Sequence, residues 1–189
     1  MQLRQKYFGL TSGELAICVG IGFAMAAAVF FMASPFVVVL AAWLLGVSMA
    51  LITLVDQRQF RIPDVLSLPM LPVGLAVSYV LDASALAHNA FAALLGGGFL
   101  YGLNLAYRRL RGVDGLGMGD VKLVAVAGAW TGLTGLPLVM LLASCGALTS
   151  LMLQKLFGLQ RHHTWRTAIP FGSYLAPSIA AVWLLQSIR

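Results

Sequence analysis

The chain has 189 residues, 60% of them apolar before its 20 glycines are counted, and only 10% charged. A soluble domain carries roughly 25% charged residues, and a globule of this size could not hide so much apolar surface, so a soluble single domain and a disordered chain are both excluded. The formal net charge is +6, and its placement along the chain decides whether it reads as topology or as a ligand surface.

A bilayer-crossing helix needs about 20 mostly apolar residues, and the chain divides on that rule. Leu15 to Val55 holds no charge and predicts two spans, broken at Ser34-Pro35 because proline ends or kinks a helix. Val65 to Leu81 predicts a short third span with Pro69 and Pro72, and Leu86 to Tyr107 a fourth. Leu123 to Leu153 is again uncharged and too long for one crossing. Thr131-Gly132-Leu133-Thr134-Gly135 with Pro137 predicts the turn that divides it into a short fifth span starting near Asp120 and a sixth over Leu136 to Leu153. Ile169 to Ile188 predicts the seventh. The expected fold is therefore an all-α polytopic membrane protein of about seven transmembrane helices, a count from six to eight being compatible, in one integral-membrane domain over residues 1–189. Arg4 and Lys6 before an apolar run imitate a signal peptide. The run is too long for one and continues into a second span, so a retained signal-anchor helix is expected.

The basic residues test this count. With the N-terminus inside, eleven of the twelve Lys and Arg residues fall on one side and only Arg189 on the other. The crowded side is the cytoplasmic one. The net charge then reads as topology and contact with anionic membrane lipid, not as nucleic-acid binding. Tyr107, Trp130 and Trp165 are expected at the interfaces. Gly98-x-x-x-Gly102 and Gly128-x-x-x-Gly132 are expected as close helix contacts. The two cysteines, Cys18 and Cys145, suggest neither a disulfide framework nor a metal cluster. His162-His163 sits in a basic loop without an acidic neighbour, so no metal and no cofactor is expected.

The acidic residues are only Glu14, Asp56, Asp64, Asp82, Asp114 and Asp120. Asp56 ends the second span and Asp120 opens the fifth, both on the cytoplasmic side. Ionisable groups at membrane depth are costly and face a polar interior. Asp120 also suits a helix N-cap, and Asp56 an interfacial pair with Arg58 or Arg61. Gly115, Gly117 and Gly119 before Asp120 allow a positive φ or a close backbone approach that a simple cap does not need.

Gly117-Met118-Gly119-Asp120 resembles the G-x-G-D motif of the type IV prepilin peptidases, which are intramembrane aspartyl proteases. Asp56 to Asp64, ending Ile62-Pro63-Asp64, resembles that family's first aspartate segment. Ile169-Pro170-Phe171-Gly172 resembles its third segment, usually I-P-F-G-P, with Ser173 in place of the last proline. The resemblance implies Asp56 and Asp120 as the catalytic pair, supported by Gly117, Gly119, Lys122, Asp64, Pro170, Phe171 and Gly172. Lys122 reads equally as a snorkelling interfacial lysine. Two carboxylates close together cannot both ionise cheaply, so such a pair shares a proton. The resemblance implies a substrate of the prepilin or pseudopilin class, with a short basic leader cut at the cytoplasmic face of the bacterial inner membrane. The chain contains no C-x-x-C pair, so the resemblance is to the peptidase-only branch serving tight-adherence pili, and cleavage without N-methylation is expected. Oligomeric state stays open. A presenilin-type protease also uses G-x-G-D, but there the other aspartate normally follows a tyrosine, and Val55 precedes Asp56 here. A small transporter or channel with both aspartates as ion ligands is the non-enzymatic alternative.

Overall fold

The computed structural model describes residues 11–31, 35–112, 117–157 and 170–187. Among these, the secondary structure is helical throughout. The His162-His163 pair, Trp165, Asp114, Gly115, and the ends of the expected first and seventh spans lie outside the described residues.

Helix α1 (Ser12–Phe30) starts with a capping box, in which the Thr11 hydroxyl accepts from the Glu14 N–H and the Glu14 carboxylate accepts from the Thr11 N–H. This satisfies two of the donors that a helix start leaves open. Helix α2 (Phe36–Gln59) begins after Pro35 and ends at Phe60, which takes a left-handed φ of 51°. Helix α3 (Asp64–Leu81) follows Pro63 and contains Pro69 and Pro72. Helix α4 (Ala85–Arg111) ends on Gly112 at φ 71°, the usual left-handed cap. Helix α5 (Met118–Leu156) is the longest, and α6 (Gly172–Ser187) closes the described chain. Among the described residues, five helices, α1 to α5, are long and apolar enough to cross a membrane. Large apolar side chains such as Phe30, Phe36, Leu94, Phe99, Leu148 and Met152 point outward, as they do where the surrounding solvent is lipid. The molecule is a polytopic α-helical membrane protein.

The fifth and sixth expected spans form one helical element interrupted at Gly132, whose φ of 65° and ψ of −176° are not helical. The chain folds back there. Thr131 and Gly135 meet Gln186 at the far end of α6, whereas Gly146 and Ser150 meet Tyr174 at its start. The start of the same element also lies at the start of α6, since Gly119 and Gly172 both close on Ile62, and a straight helix could not touch the start, the far end and the start of α6 in turn. The first arm, Met118 to Thr131, rises only about 21 Å, short of a bilayer core of about 30 Å. The reversal strands backbone carbonyls in an apolar setting, where each needs a partner. The Asn89 amide donates to the Ala129 carbonyl at 3.2 Å, and the Gln186 amide donates to the Thr131 carbonyl at 3.1 Å.

Two expectations about packing change. Trp130 is not an interfacial residue: it is buried, donates from Nε1 to the Met70 carbonyl at 2.7 Å, and lies edge-on to Trp183. Its ring covers Gly74, where a Cβ would meet Trp130 Cδ1 at 2.5 Å. Gly98 and Gly102 are not helix-contact glycines, since a Cβ at either meets nothing within 4 Å. The close α4–α5 contact runs through Gly97, against Ala125, and through the expected Gly128 and Gly132, which close on the Ala92–Ala93 backbone and on Asn89.

Candidate active site

Helix α2 continues one turn past Asp56 and stops at Phe60, whose N–H donates to the Asp56 carbonyl at 2.9 Å. A left-handed non-glycine residue costs about 1–2 kcal/mol and turns the chain sharply. The next residues, Arg61, Ile62 and Pro63, therefore double back across the ends of α5 and α6. Ile62 is buried and touches both of the other motifs. A Cβ on Gly119 would stand 2.9 Å from Ile62 Cβ, and one on Gly172 would stand 2.7 Å from Ile62 Cδ1. The three motifs are thus packed around one side chain. Sequence reasoning passed over Ile62 because an isoleucine before proline carries no chemistry of its own.

Gly119 lies in the first turn of α5, and positive φ among the described glycines is confined to Gly112 and Gly132. Its role is therefore not a left-handed backbone; of the two reasons for a glycine at 119, close approach is the one realised. Gly117 is the N-cap of α5, and its cap position receives no side-chain bond from Asp120, so the helix-cap role for that aspartate is not the one it plays here. A Cβ at Gly117 would stand 3.3 Å from Asp120 Oδ2, which also favours a residue without a side chain there.

Asp56 is 5% exposed. Its Oδ2 accepts from the Ser173 N–H at 2.7 Å and from the Ser173 hydroxyl at 3.0 Å. Gly172 makes this possible, since a Cβ there would fall 2.9 Å from the same oxygen. Asp120 is half-buried. Both line one cleft of about 430 Å³ with Phe60, Arg61, Ile62, Asp64, Gly117, Met118, Gly119, Lys122, Pro170 and Phe171. All nine residues singled out from the sequence are accounted for: eight line the cleft, and Gly172 supports its floor against Asp56.

Lys122 Nζ donates to Asp64 Oδ1 at 2.7 Å. That partly exposed pair ties the start of α3 to the second turn of α5 across the cleft mouth. Arg58 forms an ion pair with Glu14, which anchors the start of α1 at the same end of the bundle. Asp82 lies at the opposite end, beyond a helix rising about 27 Å from Asp64. Its carboxylate accepts from the Ser84 hydroxyl and N–H at 2.7 and 2.9 Å, and these bonds hold it below the usual carboxylate range.

Two carboxylates in one cleft, one buried and firmly bonded and the other facing it, can share a proton and activate a water. Comparison with known proteins places the chain among leader peptidases. The family model described as the type IV leader peptidase family matches residues 43–152, which include both aspartates. The prepilin leader peptidase/N-methyltransferase of Aeromonas hydrophila is 38% identical over 147 residues, 76% of this chain and 49% of that protein. The protein of the same name from Pseudomonas aeruginosa is 36% identical over 140 residues, 72% of this chain and 47% of its own length. The leader peptidase HopD of Escherichia coli is 35% identical over 129 residues, 67% of this chain and 80% of its own. The chain thus spans about half the length of the first two. No solved structure matches. With both carboxylates inside the matched stretch, and relatives that align over most of this chain, the protein belongs to the type IV leader peptidase family.

Proposed function

We propose that this chain is an intramembrane aspartic endopeptidase that removes the leader from prepilin-like precursors, with Asp56 and Asp120 as its catalytic pair. The single observation that carries the reading is the convergence of both aspartates on one cleft at the basic end of the bundle, assembled from three separate motifs around Ile62. One carboxylate is ionised and takes a proton from water. The other is protonated and hydrogen-bonds the scissile carbonyl as charge develops on its oxygen.

The substrate class fits the cleft's position. A precursor with a short basic leader and an apolar helix presents its cut site at the membrane surface. Arg58, Arg61, Arg108, Arg109, Arg111, Lys122 and Lys155 sit at the helix ends on the aspartates' side, and the positive-inside rule makes that side cytoplasmic. The location is therefore the bacterial inner membrane, with cleavage at its cytoplasmic face. Gly117, Gly119 and Gly172 let backbone and carboxylates approach, and the Lys122–Asp64 pair braces the cleft mouth.

Purified protein in detergent, incubated with a prepilin precursor, should release a leader-sized mass. Asp56→Asn and Asp120→Asn should each lower the rate by at least about a hundredfold, the lower range of general acid–base contributions, while eluting as folded protein. Near wild-type cleavage by either variant would exclude the aspartyl pair and leave the aspartates as candidate ion ligands.

A further inference from the structure

The two carboxylates are not held alike. Asp56 Oδ2 takes two bonds from one residue, Ser173, through its N–H at 2.7 Å and its hydroxyl at 3.0 Å, and both contacts are buried. Ser173 lies in the first turn of α6, where N–H groups lack intrahelical partners and the helix carries partial positive charge. Its N–H reaches the Pro170 carbonyl only at 3.2 Å, so the shorter bond goes to Asp56. The hydroxyl has a second neighbour, the Thr53 carbonyl at 3.4 Å, again the longer contact. A backbone N–H can only donate, and bonds of this kind to a carboxylate favour its ionised form. Among the described residues, the Asp120 carboxylate receives no such bond.

We propose that Ser173 is a positioning residue that makes Asp56 the anionic member of the pair and leaves the shared proton on Asp120. The assignment rests on the dyad reading above and fixes which carboxylate plays which part. Asp56 removes a proton from water as the oxygen attacks the scissile carbonyl carbon, and Asp120 gives its proton to the carbonyl oxygen. The resulting diol collapses. Asp56 then returns its proton to the leaving nitrogen as the C–N bond breaks, and Asp120 regains one from a diol hydroxyl. Both side chains end as they began. Ser173 stands where the I-P-F-G-P pattern has proline, a residue that offers neither donor. Charge placement in this chain therefore depends on a residue outside that pattern.

The test is the pH dependence of prepilin cleavage for Ser173→Ala, which keeps the N–H and loses the hydroxyl. A coupled pair titrates in two macroscopic steps, which bound the active pH range. If Asp56 carries the charge, losing a donor disfavours the first ionisation and leaves the second almost unchanged. The acid limb should therefore move up by about one pH unit, the scale of one hydrogen bond to a charged group, while the alkaline limb stays in place. Ser173→Gly should behave in the same way, and Ser173→Thr, which keeps the hydroxyl, should restore the wild-type profile. An alkaline limb that moves while the acid limb stays would put the charge on Asp120 and overturn the proposal. Two unmoved limbs in both Ala and Gly variants would overturn it as well. Asp56→Asn and Asp120→Asn assayed beside them separate the two levels: if these cleave normally the dyad itself is wrong, and if they are dead with unmoved Ser173 limbs only the positioning role is wrong.

Discussion

At the scale of single residues, the site depends on the absence of side chains as much as on the two carboxylates. Gly119→Val places a branched carbon 2.9 Å from Ile62 Cβ, and a branched side chain has few rotamers with which to escape. A displacement of about 1 Å at a catalytic group costs on the order of a hundredfold in rate. Met118→Leu, one residue away on a half-exposed side chain, is a volume-conserving change expected to cost less than about 1.5 kcal/mol. Initial cleavage rates per folded molecule, measured side by side, should differ by at least tenfold, and equal rates would mean that Gly119 is incidental. Asp82→Asn should cleave at close to the wild-type rate, because that carboxylate serves a local turn with Ser84 at the other end of the bundle. The two aspartates were legible in the sequence because an acid at a span boundary is conspicuous, and because the glycines before Asp120 exceed what a cap requires. Ser173 was visible only as a departure from a pattern. Its bonds to Asp56 join positions 117 apart in the chain, and no local spacing announces a pairing of that kind.

At the scale of elements, the informative one is α5. The stretch Thr131 to Gly135 was legible as a break, since glycine and threonine clustered before Pro137 interrupt an uncharged run too long for one crossing. That a single residue carries the reversal was not legible, because it depends on partners from α4 and α6. Gly132 has φ 65°, and a Cβ there would also fall 2.7 Å from Asn89 Oδ1. Gly132→Ala should therefore lower stability by about 1–3 kcal/mol from backbone strain alone, read as a lower thermal midpoint in detergent. Asn89→Ala removes the amide that satisfies the Ala129 carbonyl, a loss of about 1–3 kcal/mol where water cannot replace it. Both variants lie away from the cleft, so the cleavage rate per folded molecule should stay near wild type. A rate loss without a stability loss would show that the turn communicates with the site. Trp130 and the Gly98/Gly102 pair were misread for one reason. Spacing along a helix says which residues share a face, but not which face meets a neighbour, and that rotation is set by packing across α3, α4 and α5.

At the scale of the whole molecule, the proposed orientation rests on the distribution of charge and can be tested directly. In a background lacking Cys18 and Cys145, a cysteine at Arg109 should be shielded from a membrane-impermeant thiol reagent in intact cells, and one at Ser84 should be labelled. The reverse pattern would put the cleft on the outer face. Cleavage by these 189 residues in the presence of S-adenosylmethionine should yield a product with an unmethylated amine, since Cys18 and Cys145 form no C-x-x-C pair. A methylated product in the reconstituted system would contradict this. Composition made the membrane class plain, and the proposed orientation rests on the one-sided basic residues. The number of full crossings was harder to read, because a folded-back α5 with one short arm has the same composition as two complete spans.

Ile62 has a consequence for how this sequence can change. Its side chain closes against Gly119 on one side and Gly172 on the other, so stretches more than fifty residues apart act as a single locus. A substitution at either glycine depends on what occupies position 62. Alanine at 172 should be poorly tolerated beside isoleucine and better tolerated beside valine, which lacks the Cδ1 atom that a Cβ at 172 would meet at 2.7 Å, whereas a Cβ at 119 meets Ile62 Cβ itself at 2.9 Å and needs glycine at 62 for relief; residues in direct contact couple on the order of 0.5–3 kcal/mol. Variation at the three positions should then be epistatic: the accessible routes pass through a smaller residue at 62 first, and a library that randomises each motif separately would miss them.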